Sequence, residues 1–317
     1  MRAPSEWKSR QRELRPLQPW PAYYDFRSRE MQVVAALCEM PRGESLLELG
    51  CGNAFHSFLL SDQFERVVAT DLFGRDTDTH TIGLDRARGL VHLLGVDNIQ
   101  VVAASADALP VASQSQDCVF SSNVLEHVPD QTRAVEEIHR VLKPGGTALH
   151  IMPAAMERVY NFPVSYLMVV AGMMRGLRNR SESRGTDGLE SIDAGNRNRP
   201  RSRLLWKRAT SFFGRHYPRF PFPAPHGAYA SSTEEFLAHL PSRWEALFRS
   251  AGFTIERSFT TILAPHNIGM IVSPRQAYWI ARLGWPLTEF LGGMVPFKYF
   301  GTSFGILARR PVEDSCP

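Results

Sequence analysis

The segment Ser45-Leu-Leu-Glu-Leu-Gly-Cys-Gly-Asn-Ala-Phe55 constrains the fold of this 317-residue chain more than any other. Ser45 to Leu49 is a short apolar run with Glu48 near its end, the pattern of a buried strand. Gly50-Cys51-Gly52 follow as a tight turn. Apolar residues then recur at helical spacing between Ala54 and Phe64 (Ala54, Phe55, Phe58, Leu59), with Asp62 and Gln63 turned outward. Strand, glycine turn and helix is an arrangement suited to a nucleotide. Glycines, lacking Cβ, let a ligand approach the main chain, and the first N–H groups of the helix have no partner within it. A dinucleotide fingerprint, G-x-G-x-x-G, needs a third glycine where Phe55 stands. The ring blocks the close helix–strand approach of that fingerprint and disfavours a dehydrogenase.

The run Glu48-Leu-Gly50-Cys51-Gly52-Asn53-Ala54 resembles motif I of the class I S-adenosylmethionine-dependent methyltransferases, of the type 11 methyltransferase-like group. The usual form there is acidic-x-Gly-x-Gly-x-Gly, so Ala54 is a departure at the last position. The resemblance implies S-adenosyl-L-methionine as cofactor, with Glu48, Gly50, Cys51, Gly52 and Asn53 beside it. Arg66 to Thr70 reads as a second strand ending in Asp71, 19 positions after Gly52. An acidic residue about 20 positions downstream, at the tip of the second strand, accepts hydrogen bonds from ribose hydroxyls in nucleotide-binding α/β folds. A carboxylate is an acceptor only and suits that task, although an aspartate there can also cap a helix.

Leu84 to Leu94 reads as a helix stopped by Gly95, and Ile99 to Ala103 as a third strand. Ser105-Ala-Asp107-Ala108-Leu-Pro110 follows. The resemblance assigns Asp107 to the adenine amino group, with Ala108 beside it; a plain turn aspartate is the alternative. Asp117 to Ser121 is a fourth strand, running into Ser122-Asn123-Val-Leu-Glu-His127-Val-Pro. By resemblance this segment lies near the sulfonium, with Asn123 as the candidate contact. His127 is a candidate base, since histidine titrates near neutrality, although a histidine here also serves packing or capping. Gln131 to Leu142 is an amphipathic helix closed by Lys143-Pro-Gly-Gly146, and Thr147 to Met152 is a fifth strand.

The resemblance covers Ser45 to Met152. It implies a doubly wound, mostly parallel, seven-stranded α/β sheet, a Rossmann-like methyltransferase fold with an inserted lid. Alternating strands and helices give parallel pairing through right-handed crossovers, with the ligand crevice at the carboxyl ends of the strands. The expected divisions are an N-terminal arm and helix (1–44), a cofactor-binding core (45–152), an insertion or lid (153–243) and a C-terminal part completing the sheet (244–310). Within these, residues 1 to 26 read as an extended arm, Arg27 to Met40 as a helix, Trp244 to Ala251 as a helix, Phe253 to Thr260 as a sixth strand and Tyr299 to Ala308 as the last.

Charge sharpens the picture. Between Ala171 and Phe220 twelve Lys or Arg stand against four Asp or Glu, net +8, so the remainder carries −4 of the +4 total. Trp206, Phe212 and Phe213 lie among those cations. Such a mixture fits a solvated insertion, an anionic membrane surface or a nucleic acid. With no RNA-binding signature in the chain, nucleic acid is the least favoured of the three. His226, in the Pro-rich loop 221–229, is a candidate near the acceptor, although a loop histidine with no catalytic task is the favoured reading. Cys38, Cys51, Cys118 and Cys316 have no metal or disulfide spacing. The N-terminus has no apolar signal region and no run reaches the ~18 apolar residues of a membrane span, so a cytoplasmic protein is expected, with peripheral membrane contact. The expected function is methyl transfer to a small-molecule or lipid-linked acceptor. A non-catalytic methyltransferase-like binding protein is the alternative, supported by Ala54.

Overall fold

The computed structural model describes residues 5–17, 21–72, 84–160, 229–263 and 274–312. The apolar run 162–174, the basic stretch to Phe220, His226 and Cys316 lie outside them. Seven strands form one sheet: β1 (Gly43–Leu49), β2 (Phe64–Asp71), β3 (Ile99–Ala103), β4 (Gln116–Ser122), β5 (Leu142–Pro153), β6 (Thr254–Ile262) and β7 (Ser303–Arg309). Their order is β3-β2-β1-β4-β5-β7-β6, with β7 antiparallel to both neighbours and the other pairs parallel. This is the doubly wound sheet that the sequence implies.

Alternation along β1 explains the two layers. Leu46 packs into one core with Phe55, Phe58 and Met31, while Leu47 and Leu49 pack into another with Ile138, Trp244 and Phe248. Successive side chains of a strand point to opposite faces, so an unbroken apolar run needs cover on both. Helices α1 (Ser5–Leu14), α2 (Pro21–Leu37), α3 (Phe55–Leu60) and α4 (Leu84–Leu93) contribute to the first core; α5 (Gln131–Val141) and α7 (Pro241–Ser250) contribute to the second. Each fully buried Leu or Phe contributes about 1.5–3 kcal/mol. A short helix α6 (Ser232–Ala238) and a longer α8 (Pro274–Leu291) complete the described elements.

The extended N-terminal arm is corrected to two helices. Trp7 and Leu14, seven residues apart, are buried on one face of α1, and Pro21 opens α2, where its missing N–H costs nothing. Tyr24 of α2 meets Phe55 edge-on at 5.0 Å between ring centres. Thus the aromatic that disqualifies a dinucleotide fingerprint is an anchor for the N-terminal helices.

Chain order puts the switch point between β1 and β4. From β1 the chain steps outward through β2 and β3, then returns to pair β4 with β1. Ligands of open α/β sheets bind at such a point, outside the carboxyl ends of the strands. The glycine turn after β1 and the segment after β4 are the two lips of this crevice. The Lys-Pro-Gly-Gly signature works at the opposite end: Lys143 Nζ donates to Asp117 at 2.8 Å, and Asp117 also accepts from Ser45.

Candidate functional site at the carboxyl ends of the strands

One lip is made of main chain. Gly50 has φ +63°, and a Cβ there would stand 2.3 Å from Val124 Cγ2, so only glycine lets the turn pack on the segment after β4. The Cys51 N–H donates to the Thr70 carbonyl at 2.9 Å, and the Ala54 N–H to the Cys51 carbonyl at 2.7 Å. Gly52 donates its N–H to Asp71 Oδ2 at 2.7 Å, and Leu72 donates its own to Oδ1 at 2.7 Å. The carboxylate therefore ties the tip of β2 to the glycine turn. Each oxygen retains further acceptor capacity for a hydroxyl pair. Burial pushes the Asp71 carboxyl above its ordinary range, against the two N–H bonds, which pull it down. Ala54, where the motif has glycine, itself adopts φ 61° in the left-handed region. The turn is kept at a conformational cost rather than lost.

Glu48 is fully buried and faces α3. It accepts a short hydrogen bond from Ser57 Oγ and lies 3.5 Å from His56 Nδ1. Its carboxylate braces the turn from behind instead of entering the crevice. Cys51 and Asn53 are buried at the turn, and burial raises the Cys51 thiol, which stays protonated. Asp107, half-buried in the loop after β3, accepts a short bond from Ser105 Oγ, and Ala108 beside it is exposed. The Ala104 N–H donates to the Asp71 carbonyl at 2.9 Å, so this loop starts beside the β2 tip. Its far end is held by Glu137, which accepts from the Leu109 N–H at 2.9 Å, and by Arg140, which donates to the Leu109 and Val111 carbonyls.

The other lip is made of charged side chains from distant parts of the chain. Asn123 has φ 54°. Its Oδ1 accepts from both terminal nitrogens of Arg27, at 2.7 and 2.8 Å, in the amide orientation that its hydrogen-bond network requires. Arg27 also pairs with the fully buried Glu30 at 2.6 Å, and Glu30 accepts from Thr261 Oγ1 of β6 at 2.7 Å. Glu126 is buried behind this group, and its Oε2 has no hydrogen-bond partner. Burial pushes the Glu126 carboxyl up to about 8, with Arg27 pulling it down and Glu157 raising it. His127 is the exposed member: 60% of its side chain is accessible, and its Nε2 lies 3.8 Å from Glu126 Oε1. Tyr229 closes this end, donating to the Glu126 carbonyl at 3.4 Å. Among the described residues no group of three His, Cys, Asp or Glu could hold a metal ion.

The sequence reading finds the main-chain lip, Asp71, Asp107, Asn123 and His127. It misses Arg27, Glu30 and Glu126, which the fold brings together from α2, β6 and the segment after β4. The signal for Arg27 and Glu30 is their i,i+3 spacing within α2, where both would otherwise be read as solvated.

A methyltransferase domain family matches residues 47–150, the span of both lips apart from α2 and β6. Over 145 residues the chain is 32% identical to the tRNA (carboxymethyluridine(34)-5-O)-methyltransferase of Mus musculus, covering 45% of this chain and 18% of that protein. It is 33% identical over 130 residues to a "Probable S-adenosylmethionine-dependent methyltransferase" of Mycolicibacterium smegmatis, covering 41% and 46%. It is 34% identical over 109 residues to the ubiquinone/menaquinone biosynthesis C-methyltransferase of Klebsiella pneumoniae, covering 34% and 42%. Residues 47–150 therefore share a methyltransferase domain with these S-adenosylmethionine-dependent enzymes. The chain spans less than half the length of these curated relatives, and the likeness lies in the cofactor-binding core.

S-adenosylmethionine is the cofactor of this family, and the residues of the site fit it. A Cβ placed on Gly52 would meet no protein atom within 4 Å, so the main chain there is open to a ligand. The Asp71 carboxylate stands at that opening, and the loop that carries Asp107 starts beside the β2 tip.

Proposed function

We propose that the chain transfers the methyl group of S-adenosylmethionine to a small-molecule or lipid-linked acceptor held between the glycine turn and the segment after β4. The observation that carries this reading is the 2.7 Å bond from the Gly52 N–H to Asp71, which joins turn and strand tip at the crevice of the switch point. When bound, the cofactor supplies an electrophilic methyl on a sulfonium, so the protein needs no metal and no nucleophilic triad. Its contribution is alignment of the acceptor with the methyl carbon, which can be worth about 7–11 kcal/mol of the barrier. An acceptor that must lose its proton to attack finds His127 exposed at the same lip, with Glu126 behind it to orient the ring. The insertion 153–243 acts as the lid that reads the acceptor. Its two ends are stitched together by the Ala155 N–H donating to the His239 carbonyl at 3.0 Å and by a buried Arg158–Glu235 ion pair at 2.8 Å.

The relatives' names include a tRNA and a quinone pathway, and the proposed acceptor is of the second chemical class. Ala54 keeps the left-handed geometry of the turn, which favours cofactor binding over a scaffold role. Incubation of a lysate with the protein and labelled S-adenosylmethionine, followed by separation into lipid, small-molecule, RNA and protein fractions, tests the proposal. Label is expected in the lipid or small-molecule fraction. Label in RNA or protein alone would replace the acceptor class, and no label above a Gly52→Val control would remove the enzymatic reading.

A further inference from the structure

Helix α8 has its apolar residues on both sides. Trp285 and Thr288 are buried on the inner face, where Trp285 meets Phe26 of α2 at 6.0 Å between rings and Thr288 Oγ1 accepts from the Leu263 N–H at 3.1 Å. The outer face carries Leu283, Leu287 and Phe290, exposed by 81%, 54% and 75%. At about 100° per residue these three fall within about 60° of one another, so they form one stripe. The turn after the helix continues it with Met294, Val295 and Phe300, exposed by 49%, 70% and 49%. A single exposed leucine needs no explanation, but a contiguous apolar face does.

We propose that this outer face, from Leu283 to Phe300, docks on an anionic lipid bilayer with the helix lying in the plane of the headgroups. Charge is the argument for lipid over a protein partner. Between Arg282 and Phe300 the chain has two cations, Arg282 and Lys298, the latter bound to Glu245 at 3.2 Å, and one carboxylate. That carboxylate, Glu289, is bound to Arg29 at 2.5 Å, so the stripe shows anionic headgroups no uncompensated negative charge. Tyr299, exposed by 38%, adds an amphipathic ring of the kind that favours the boundary between headgroups and acyl chains. Tyr160 donates its hydroxyl to the Phe300 carbonyl at 3.0 Å. In sequence, Tyr160 precedes a stretch with net charge +8 between 171 and 220, the sign that anionic lipid attracts. The surface is peripheral: no described helix is long and apolar enough to cross a membrane. The inference stands apart from methyl transfer, because cofactor binding without lipid binding, or the reverse, would separate the two.

Sedimentation of the full chain with vesicles of phosphatidylcholine alone and of phosphatidylcholine with phosphatidylserine tests it, beside the double variant Leu287→Glu, Phe290→Glu and its neutral counterpart Leu287→Gln, Phe290→Gln. The wild-type chain should pellet with the anionic vesicles, less so at high salt. The Gln pair should lose at least about tenfold in partition, as removal of two large apolar side chains implies, and the Glu pair more. Melting temperatures of all variants should match that of the wild type. Equal pelleting of wild type and variants, or none by the wild type, would overturn the proposal. So would a marked loss of thermal stability in the Gln pair, which would mean that the stripe packs on this chain's own residues. Concentration-dependent self-association abolished by the same pair would assign the face to a second copy instead.

Discussion

The two lips of the crevice are built by different physical means. The lip after β1 is made of main chain: left-handed turns at Gly50, Gly52 and Ala54, N–H groups tied to the Thr70 and Cys51 carbonyls, and one carboxylate, Asp71, to lock them. The lip after β4 is made of side-chain charge gathered from α2, β6 and the end of β4 around Arg27. The first kind leaves a local signature, because glycines must fall at fixed spacing within one turn. The second leaves almost none, because each member is an ordinary charged residue until the fold brings it to the others. A turn built this way suits a constant cofactor, and a charge cluster from distant segments suits an acceptor that varies.

Breaking the charged lip should cost most. Arg27→Met leaves Glu30 buried with only Thr261 beside it, and loss of one partner of a buried pair costs about 3–5 kcal/mol. Urea unfolding should show that loss; a change below about 1 kcal/mol would mean that the acceptor lip is not held by charge. On the main-chain lip, Asp71→Ala should weaken S-adenosylmethionine binding by about 1.5–3 kcal/mol, the range for hydrogen bonds to a charged group. A calorimetric loss under about 0.5 kcal/mol would reduce Asp71 to a clasp between β2 and the turn.

The pH dependence of stability offers a finer contrast. Glu126 titrates near 4.3 when unfolded and at about 8 when folded. Between those values the folded chain holds a proton that the unfolded chain releases. Stability should therefore fall as pH rises through that window, by about 1.4 kcal/mol per unit, and Glu126→Gln should remove the slope. His150 acts with opposite sign at the acid end. Burial lowers it to about 3 against 6.5 unfolded, so its contribution is present above pH 6.5 and is lost as pH falls towards 3. A Glu126→Gln melting profile identical to wild type from pH 5 to 8 would place that carboxyl in water. The smallest effect is expected at Ala54, where glycine relieves about 1 kcal/mol of left-handed strain, partly offset by its freedom in the unfolded chain. Ala54→Gly should raise stability by about 0.5 kcal/mol without changing cofactor affinity.

The same division governs what could be read from sequence. The strands carry unbroken or alternating apolar runs, so β1 to β7 were legible, as was Asp71 from its spacing to Gly52. The N-terminal helices were not: Pro16, Pro19 and Pro21 signal an extended arm, and only the fold reveals that Trp7 and Leu14 share a buried face. Helix α8 was not legible as a helix, since Gly284 and Pro286 interrupt it; Pro286 lies on its exposed side. The motif gives the position of Glu48, and the contacts with Ser57 and His56 of α3 appear only in the fold. Position in a motif gives the main-chain path, and the neighbours decide where a side chain goes.

The central claim is that the glycine turn receives S-adenosylmethionine through main chain left open at Gly52. Isothermal titration of the full chain with S-adenosylmethionine, beside Gly52→Val, tests it directly. A Cβ at Gly52 meets no protein atom, so the variant should keep its circular dichroism spectrum and lose only the strain of a left-handed valine, about 1–2 kcal/mol. The account predicts saturable one-site binding by the wild type and none by the variant. Equal affinity in both, with both folded, would contradict it.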